Sequence, residues 1–341
     1  MAQGLMAALK GMSSTPKVDL ASELRSRDGA GDTSVQRKIL VAAAQEADRI
    51  LQLPQAQDWQ IWVTYHNYYK APDLLGPQIT RALDIPYVLI EASRSPKRLH
   101  GPWAEFAKWA EAACDVADSI FYMTDRDKPA LIAGQTEAQS LLNLPPFLNR
   151  DSLPETTIGN DGRPVLLVVG MLREGDKLAS YELLADTLHH SKTEWQLHVV
   201  GDGSAQTRVR ELFASFGARV RFLGQLSGAE VADQMAGADL FVWPGVNEAF
   251  GMVYLEAQSH GLPVVAQDRP GVRDVIGAGG VLVPPDQPQE FAAAVDALLL
   301  DRMRWKLAQI AARDYITKNH LRPSASLRLE QEFQRLLRER K

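Results

Sequence analysis

The chain has 341 residues, more than one ordinary domain, with 45% hydrophobic and 23% charged residues, the composition of a globular protein. Lys and Arg number 37 against 42 Asp and Glu, a net charge of −5 that is too mild to point to a nucleic-acid partner. Cys114 stands alone, which excludes an internal disulfide and suits a reducing, cytoplasmic setting, and no apolar run is long enough to span a bilayer.

Residues 2–11 carry helical apolar spacing at Leu5, Met6 and Leu9, without the early basic region of a signal peptide. Lys17-Val-Asp-Leu-Ala21 predicts a strand and residues 33–53 a helix capped by Asp32 or Thr33. Strands follow at 60–65, 86–91 and 119–124, with helices at 73–83 and 103–117 between them. The first domain ends near 141–148, and residues 149–163, rich in Asp, Pro, Thr and Gly, read as a linker. The second half predicts strands at 165–169, 195–200, 219–223, 239–243, 262–266 and 280–283. Helices lie at 176–190, 204–216, 228–236, 252–260 and 287–316, a short helical turn at 271–276, and a basic last helix at 325–340. Strands alternating with helices predict parallel α/β sheets.

Within this pattern one stretch carries chemistry: Pro244-Gly-Val-Asn-Glu-Ala-Phe-Gly-Met-Val-Tyr-Leu-Glu-Ala-Gln-Ser-His-Gly-Leu-Pro-Val-Val-Ala266. A buried strand stops at Pro244 and Gly245, a loop reaches Gly251, and a helix starts near Met252. The start of a helix leaves amides unpaired and carries partial positive charge, so it favours phosphate. Gly251 at its mouth lets an anion approach the backbone. Glu248 and Glu256 bracket this turn and would repel phosphate; ionised carboxylates instead accept hydrogen bonds from hydroxyls. A diphosphate flanked by polyols, a nucleotide sugar, satisfies both requirements, with the ribose on Glu256 and the transferred hexose on Glu248. Ala249, Phe250, Gly251, Met252 and Val253 complete the donor-binding turn.

The stretch Glu248-Ala-Phe-Gly-Met-Val-Tyr-Leu-Glu256, followed by Gly261-Leu-Pro-Val-Val265, resembles the donor motif of glycosyltransferase family 4, retaining enzymes of GT-B architecture. The resemblance implies two Rossmann-like parallel-sheet domains: an acceptor-side domain over 1–150 and a nucleotide-sugar-binding domain over 160–322. A terminal helix, 323–341, crosses back to the first. It implies a hexosyltransferase that moves a sugar from a nucleotide-diphosphate donor to a glycan or lipid-linked acceptor. Attack is from the front face, the leaving phosphate helps to deprotonate the acceptor, and neither a cofactor nor a metal is needed. It also implies a first domain that opens on a central strand and a Gly-rich loop, whereas this chain opens on a helix. The expectation is a first domain lacking its first strand, through a mis-called start or a truncation, with a gap in its sheet and part of the acceptor site missing. The alternative is a rearranged sheet that closes the gap. Two other readings stay open: a non-catalytic nucleotide-sugar-binding relic and, more distantly, a nicotinamide-dependent dehydrogenase.

Gly170-Met-Leu-Arg-Glu-Gly-Asp-Lys177 leaves a strand at its carboxyl end, where open α/β sheets bind ligands. Arg173 and Lys177 are suited to neutralise a departing diphosphate, although Met171 occupies the family's Arg position in one register. Gly201-Asp-Gly203 fails as a dinucleotide fingerprint because Gln206 stands where a third Gly belongs. In the resembling family this turn lies beside the nucleotide, and the segment at Phe222 and Leu223 meets the base. Family members often carry a His where Glu91 stands, so Glu91, with His66 and His100 as fallbacks, is the acceptor-side candidate. Asp125-Arg-Asp127 imitates a metal motif, but Lys128-Pro129 after it predicts that Asp127 caps a helix, and His189-His190 lacks a third ligand nearby in sequence. Arg94, Lys97, Arg98 and Lys108 with Trp103 and Trp109 form a basic, aromatic set that reads either as a solvated face or as a peripheral dock on anionic lipid.

Overall fold

A computed structural model describes residues 1–156 and 162–340. Residues 157–161, within the stretch read as a linker, lie outside the described residues. The chain divides into two compact units, Met1–Pro145 with Ala325–Lys341, and Pro146–Ser324.

The first unit opens with α1 (Ala2–Lys10) and α2 (Thr33–Leu51). Asp32 caps α2, its carboxylate accepting from the backbone N–H of Ser34 and Val35. Then come β1 (Trp62–Asn67), α3 (Gly76–Leu83), β2 (Tyr87–Ala92), α4 (Ala104–Val116), β3 (Ser119–Tyr122), α5 (Lys128–Ala133) and β4 (Ser140–Asn143). The strands form one parallel sheet in the order β1-β2-β3-β4. That order corrects the expectation of a gap: every neighbouring pair of the four strands is hydrogen-bonded, and β1 is an edge. Residues 17–21 form no strand. Leu20 is 65% exposed, and Asp19 accepts from the indole N–H of Trp59, so this segment has no apolar face to lay on a sheet. The strand β4, absent from the sequence reading, pairs with β3 from Ser119↔Ser140 to Tyr122↔Asn143. The core gathers Ala43, Ala47 and Ile50 of α2, Ile79 of α3, Ala113 and Cys114 of α4, and Leu89 and Ile120 of the sheet.

The second unit contains β5 (Val165–Val169), α6 (Asp176–His190), β6 (Gln196–Val200), α7 (Gln206–Leu212), β7 (Val220–Gly224), α8 (Gly228–Gly237) and β8 (Leu240–Val242). It continues through α9 (Met252–Ser259), β9 (Val264–Gln267), β10 (Gly280–Val283), α10 (Pro288–Leu300) and α11 (Arg302–Asn319). Its six parallel strands run β10-β9-β8-β5-β6-β7. Val165–Val168 and Leu240–Val242 are fully covered, as expected of central strands with helices on both faces. The predicted helix at 204–216 is shorter: it ends at Leu212, and a 3₁₀ stretch follows in which Gly217 takes φ +56°. The last helix, α12 (Arg322–Glu339), begins in the second unit and continues into the first.

Two backbone devices hold these units in shape. In the second, the turns after β5, β6 and β7 are laced together. Gly170 N–H donates to Val200 O (3.0 Å), Gly201 N–H to Gly224 O (2.8 Å), Leu172 N–H to Asp202 O (3.0 Å) and Ala205 N–H to Leu172 O (2.7 Å). Gly201 sits at φ +134°, and a Cβ there would run into the carbonyl oxygen of Gly170. In the first unit, Glu330 of α12 ties down the loop after α1. Its carboxylate accepts from Ser13 N–H (3.0 Å), Ser13 Oγ (2.8 Å) and Ser14 N–H (2.7 Å).

These bonds to Ser13 and Ser14 hold the Glu330 carboxyl down at about 2, from an ordinary 4.5. A depressed folded value means that the stabilisation is complete above the unfolded value and is lost as pH falls through the folded one. Glu330→Gln should therefore melt below the parent at neutral pH, with the difference closing between pH 4.5 and about 2 in stepwise thermal melts. Gly201→Ala should cost about 2–4 kcal/mol in denaturant unfolding, because the added methyl strikes backbone that cannot yield cheaply.

Candidate active site

Within the second unit the strand order reverses between β5 and β8, with β6 and β7 to one side and β8 to β10 to the other. Loops leaving neighbouring parallel strands in opposite directions open a crevice at their carboxyl ends, the usual ligand position in such sheets. The loop after β5 carries Arg173 and leads into α6 with Lys177; the loop after β8 carries residues 243–251 and leads into α9.

These two loops are bound to each other. The Lys177 ammonium pairs with Glu248 Oε1, and the same oxygen accepts from Trp243 Nε1–H at 3.1 Å. Lys177 also lies 5.4 Å from the centre of the Trp243 ring. The two charged side chains are only 17% and 14% exposed. Asn247 Nδ2–H donates to Asp176 Oδ2 (3.0 Å), and Val246 N–H donates to Ser180 Oγ (3.0 Å). Beneath them, Tyr181 donates to Gly170 O (3.0 Å) and Tyr254 to Trp243 O (3.1 Å). The sequence-expected Lys177 and Glu248 are thus brought together. Trp243, Ser180 and Asn247 were not singled out from the sequence, although the indole immediately before the strand-ending Pro244-Gly245 pair was a readable signal.

Gly251 takes a left-handed conformation (φ +63°) at the N-cap of α9, and no side chain caps the helix; of the first-turn amides, Tyr254 N–H donates to Gly251 O (3.0 Å). Ala249 is pinned from behind: a Cβ on Gly271 would run into its carbonyl oxygen. Glu256 is exposed as a residue and forms no ion pair among the described residues, but burial around its carboxyl pushes its pKa up, against the charge of Arg150; Arg173 is exposed and forms no ion pair among the described residues. The arrangement therefore offers one free cation, one cation held by an acid, one uncapped helix start and one exposed acid. Phe222 is drawn elsewhere: its ring lies under the Arg210 guanidinium (4.4 Å) and 6.3 Å from Phe213, against α7. Leu223 is half-buried at the end of β7, and Gly201 and Gly203 are spent on close packing against Gly170 and Leu172.

In the first unit, His66 and Glu91 stand opposite each other at the carboxyl ends of β1 and β2, between the register pairs Tyr65↔Ile90 and Asn67↔Ala92. Both take positive φ, +75° and +59°, a conformation that costs about 1 kcal/mol or more for residues with side chains. His66 Nδ1 is 3.5 Å from Glu91 Oε2. Burial, and its hydrogen bond to Glu91, push the Tyr65 hydroxyl pKa up. Asp127 belongs to the same group. Burial raises its carboxyl and the Glu91 charge adds to that, against Arg126, a hydrogen bond from Thr124, and His66. Asp127 occupies the N-cap position of α5 but makes no side-chain cap, so the capping expectation is corrected. The aromatic series His66, Tyr68, Tyr69 and Trp103 runs on from there, with successive ring centres 4.7, 5.6 and 5.7 Å apart. His100 lies exposed beyond a short 3₁₀ turn.

The basic, aromatic set is mostly consumed internally. Arg94 is 5% exposed and pairs with Glu111 and Asp115 at 2.8 Å each. Arg98 stacks on Tyr69 and Trp103 (4.9 and 5.7 Å), and Lys108 pairs with Glu105. Among the described residues no three His, Cys, Asp or Glu side chains gather in a metal-holding group, and no helix is long and apolar enough to cross a membrane.

Residues 163–301 match the profile of the family Glycosyl transferases group 1. The chain is similar to the alpha-D-kanosaminyltransferase of Streptomyces kanamyceticus, with 30% identity over 223 residues, 60% of this chain and 58% of that protein. It is also similar to the GDP-mannose-dependent alpha-mannosyltransferase of Mycolicibacterium smegmatis, with 32% identity over 162 residues, 47% of this chain and 41% of that one. It thus spans about half the length of these two curated relatives. In fold it is similar to HepE of Anabaena, crystallised with UDP: TM-score 0.71 at 17% identity, covering 98% of this chain and 95% of that one. The chain thus has two parallel-sheet α/β units of the GT-B type, and its residues 163–301 match the group 1 glycosyltransferases.

Proposed function

We propose that this chain is a retaining hexosyltransferase that takes its sugar from a nucleotide-diphosphate donor. The observation that supports this best is the Lys177–Glu248 pair lying across the β5/β8 switch, beside the uncapped start of α9. The α9 amides and Arg173 would receive the diphosphate. Its arrival would draw Lys177 off Glu248, since two phosphate charges outbid one carboxylate, and so release Glu248 Oε1 to a hydroxyl of the hexose. Glu256 would accept from the ribose. In the transfer, the bond from the anomeric carbon to the diphosphate breaks and a bond to the acceptor oxygen forms on the same face. The acceptor proton leaves on the diphosphate, whose charge Lys177 and Arg173 stabilise. The reading needs no metal or other cofactor and no nucleic acid.

On the acceptor side, Glu91 and His66, with Asp127 beside them, are proposed to orient the hydroxyl that is glycosylated. Their paired positive-φ conformations set two polar side chains side by side at one end of a rigid sheet, His66 exposed and Glu91 largely buried. The acceptor is proposed to be a glycan or a lipid-linked sugar, handled in the cytoplasm with peripheral contact to a membrane; the rings of Tyr68 and Tyr69 offer apolar faces for it to pack on.

A thermal-shift panel of nucleotide sugars tests the donor reading, with at least one expected to raise the melting temperature. Glu256→Ala should raise the donor KM about 10- to 100-fold, the loss of one or two charge-assisted hydrogen bonds. Glu248→Ala should lower kcat about 10²- to 10³-fold with a smaller change in KM. Unaltered kinetics in both variants would reject the assignment. Glu91→Gln and His66→Ala should each raise the acceptor KM and leave donor binding untouched in calorimetry; a change confined to donor affinity would move these residues out of the acceptor site.

A further inference from the structure

The outer face of α11 is apolar where a surface helix should be polar. Trp305, Ala312 and Ile316 point into the core and are 4%, 0% and 0% exposed. Met303, Leu307 and Ile310, spaced four and three residues apart, form a second stripe on the opposite side and are 69%, 61% and 57% exposed. Leu300, at the end of α10, extends it at 76%. The stripe borders an open groove of about 790 Å³ that also takes in Val281 of β10. Isolated exposed apolar residues need no explanation, but a stripe in helical register does.

The charges around it identify what covers it. Arg302, Arg304 and Lys306 are exposed and form no ion pair among the described residues; Arg302 stacks on the Trp305 ring at 4.3 Å and Lys306 donates to Gln309 Oε1 at 2.7 Å, contacts that leave their charges unneutralised. The acids nearby are committed: Asp301 accepts from Arg304 N–H at 2.9 Å as the cap of α11, and Asp314 pairs with Lys318 at 2.7 Å. On a helical projection, Arg302 and Lys306 flank the stripe on one side and Arg304 on the other. A second copy of α11 would bring three more cations against Asp301, the one acid there outside an ion pair among the described residues, so self-pairing leaves most of the charge unanswered. A surface with apolar depth and diffuse negative charge answers both features.

We propose that α11 is a membrane-surface contact: Met303, Leu307 and Ile310 enter the acyl boundary of an anionic leaflet while Arg302, Arg304 and Lys306 lie among its headgroups. This places the lipid contact on the second unit and not on the first unit's set, in which Arg94 is held by Glu111 and Asp115. It is independent of whether the crevice between β5 and β8 transfers a sugar.

The test is co-sedimentation of the full chain with phosphatidylcholine vesicles, with and without phosphatidylglycerol. Binding should require phosphatidylglycerol and weaken with added salt. The pair Leu307→Gln with Ile310→Gln, and the pair Arg304→Gln with Lys306→Gln, should each reduce binding about tenfold or more. All four positions are exposed, so the folded protein should keep its melting temperature. Lys97→Gln with Lys108→Gln should bind like the parent. No sedimentation of the parent, unchanged binding of the α11 variants, or loss of binding in the Lys97 and Lys108 variant would overturn the proposal. So would a dimer in light scattering that the Leu307 and Ile310 variant disperses, since a second copy would then be what covers the stripe.

Discussion

A buried cation and a buried anion are costly apart and tolerable together, and the second unit uses this to hold its crevice in shape. Lys177 enters from the first turn of α6 and Glu248 from the loop before α9, so their pair ties together the two loops that diverge at the β5/β8 reversal. Trp243 supports the pair twice, by its N–H to the carboxylate and by its ring beneath the ammonium. Removing either charge leaves the other half-buried and unanswered. The arrangement is therefore stable only while Lys177 has an anion, whether Glu248 or something that replaces it.

The remainder of that unit makes this contact reproducible. Hydrogen bonds among the turns after β5, β6 and β7 leave the backbone at Gly170 and Leu172 little freedom, and Asn247 and Val246 are fastened to α6 from the other loop. The first unit reaches precision differently. It places two side-chain-bearing residues, His66 and Glu91, in a backbone region normally left to glycine, and does so on adjacent strands at the same level. Such strain persists only where a well-packed sheet enforces it, and Val88, Leu89 and Ile90 beneath it are fully buried.

What the sequence disclosed follows from the range of the interactions involved. The strand, loop and helix that carry Glu248 and Glu256 were legible because they lie within one local stretch, from Asp239 to Ala266. Lys177 and Glu248 could each be nominated from their own loops, but their ion pair joins residues 71 apart and depends on strand order, which periodicity does not encode. Asp127 was read by its local chemistry as a helix cap; burial first, and then the charges around it, including Glu91 from β2 and His66 from β1, set its environment, and none of this follows from the proline after it. Arg94 looked like part of a basic surface because its partners Glu111 and Asp115 lie on the next helix. Residues 17–21 failed as a strand for the opposite reason: a locally plausible alternation found no edge to join.

The first unit is also discontinuous along the chain. Its sheet lies within the first 145 residues, yet Glu330, which secures the Ser13 and Ser14 loop, and Glu332, which accepts from Ser119 in β3, both arrive on α12. During synthesis the intervening 179 residues, 146 to 324, must be made first, which takes roughly ten to forty seconds at ordinary ribosomal rates. Over that interval the nascent amino-terminal sheet waits without its closing helix, while the later, contiguous half has everything it requires to fold. Vectorial folding is thereby inverted: the part that leaves the ribosome first is the last to be finished.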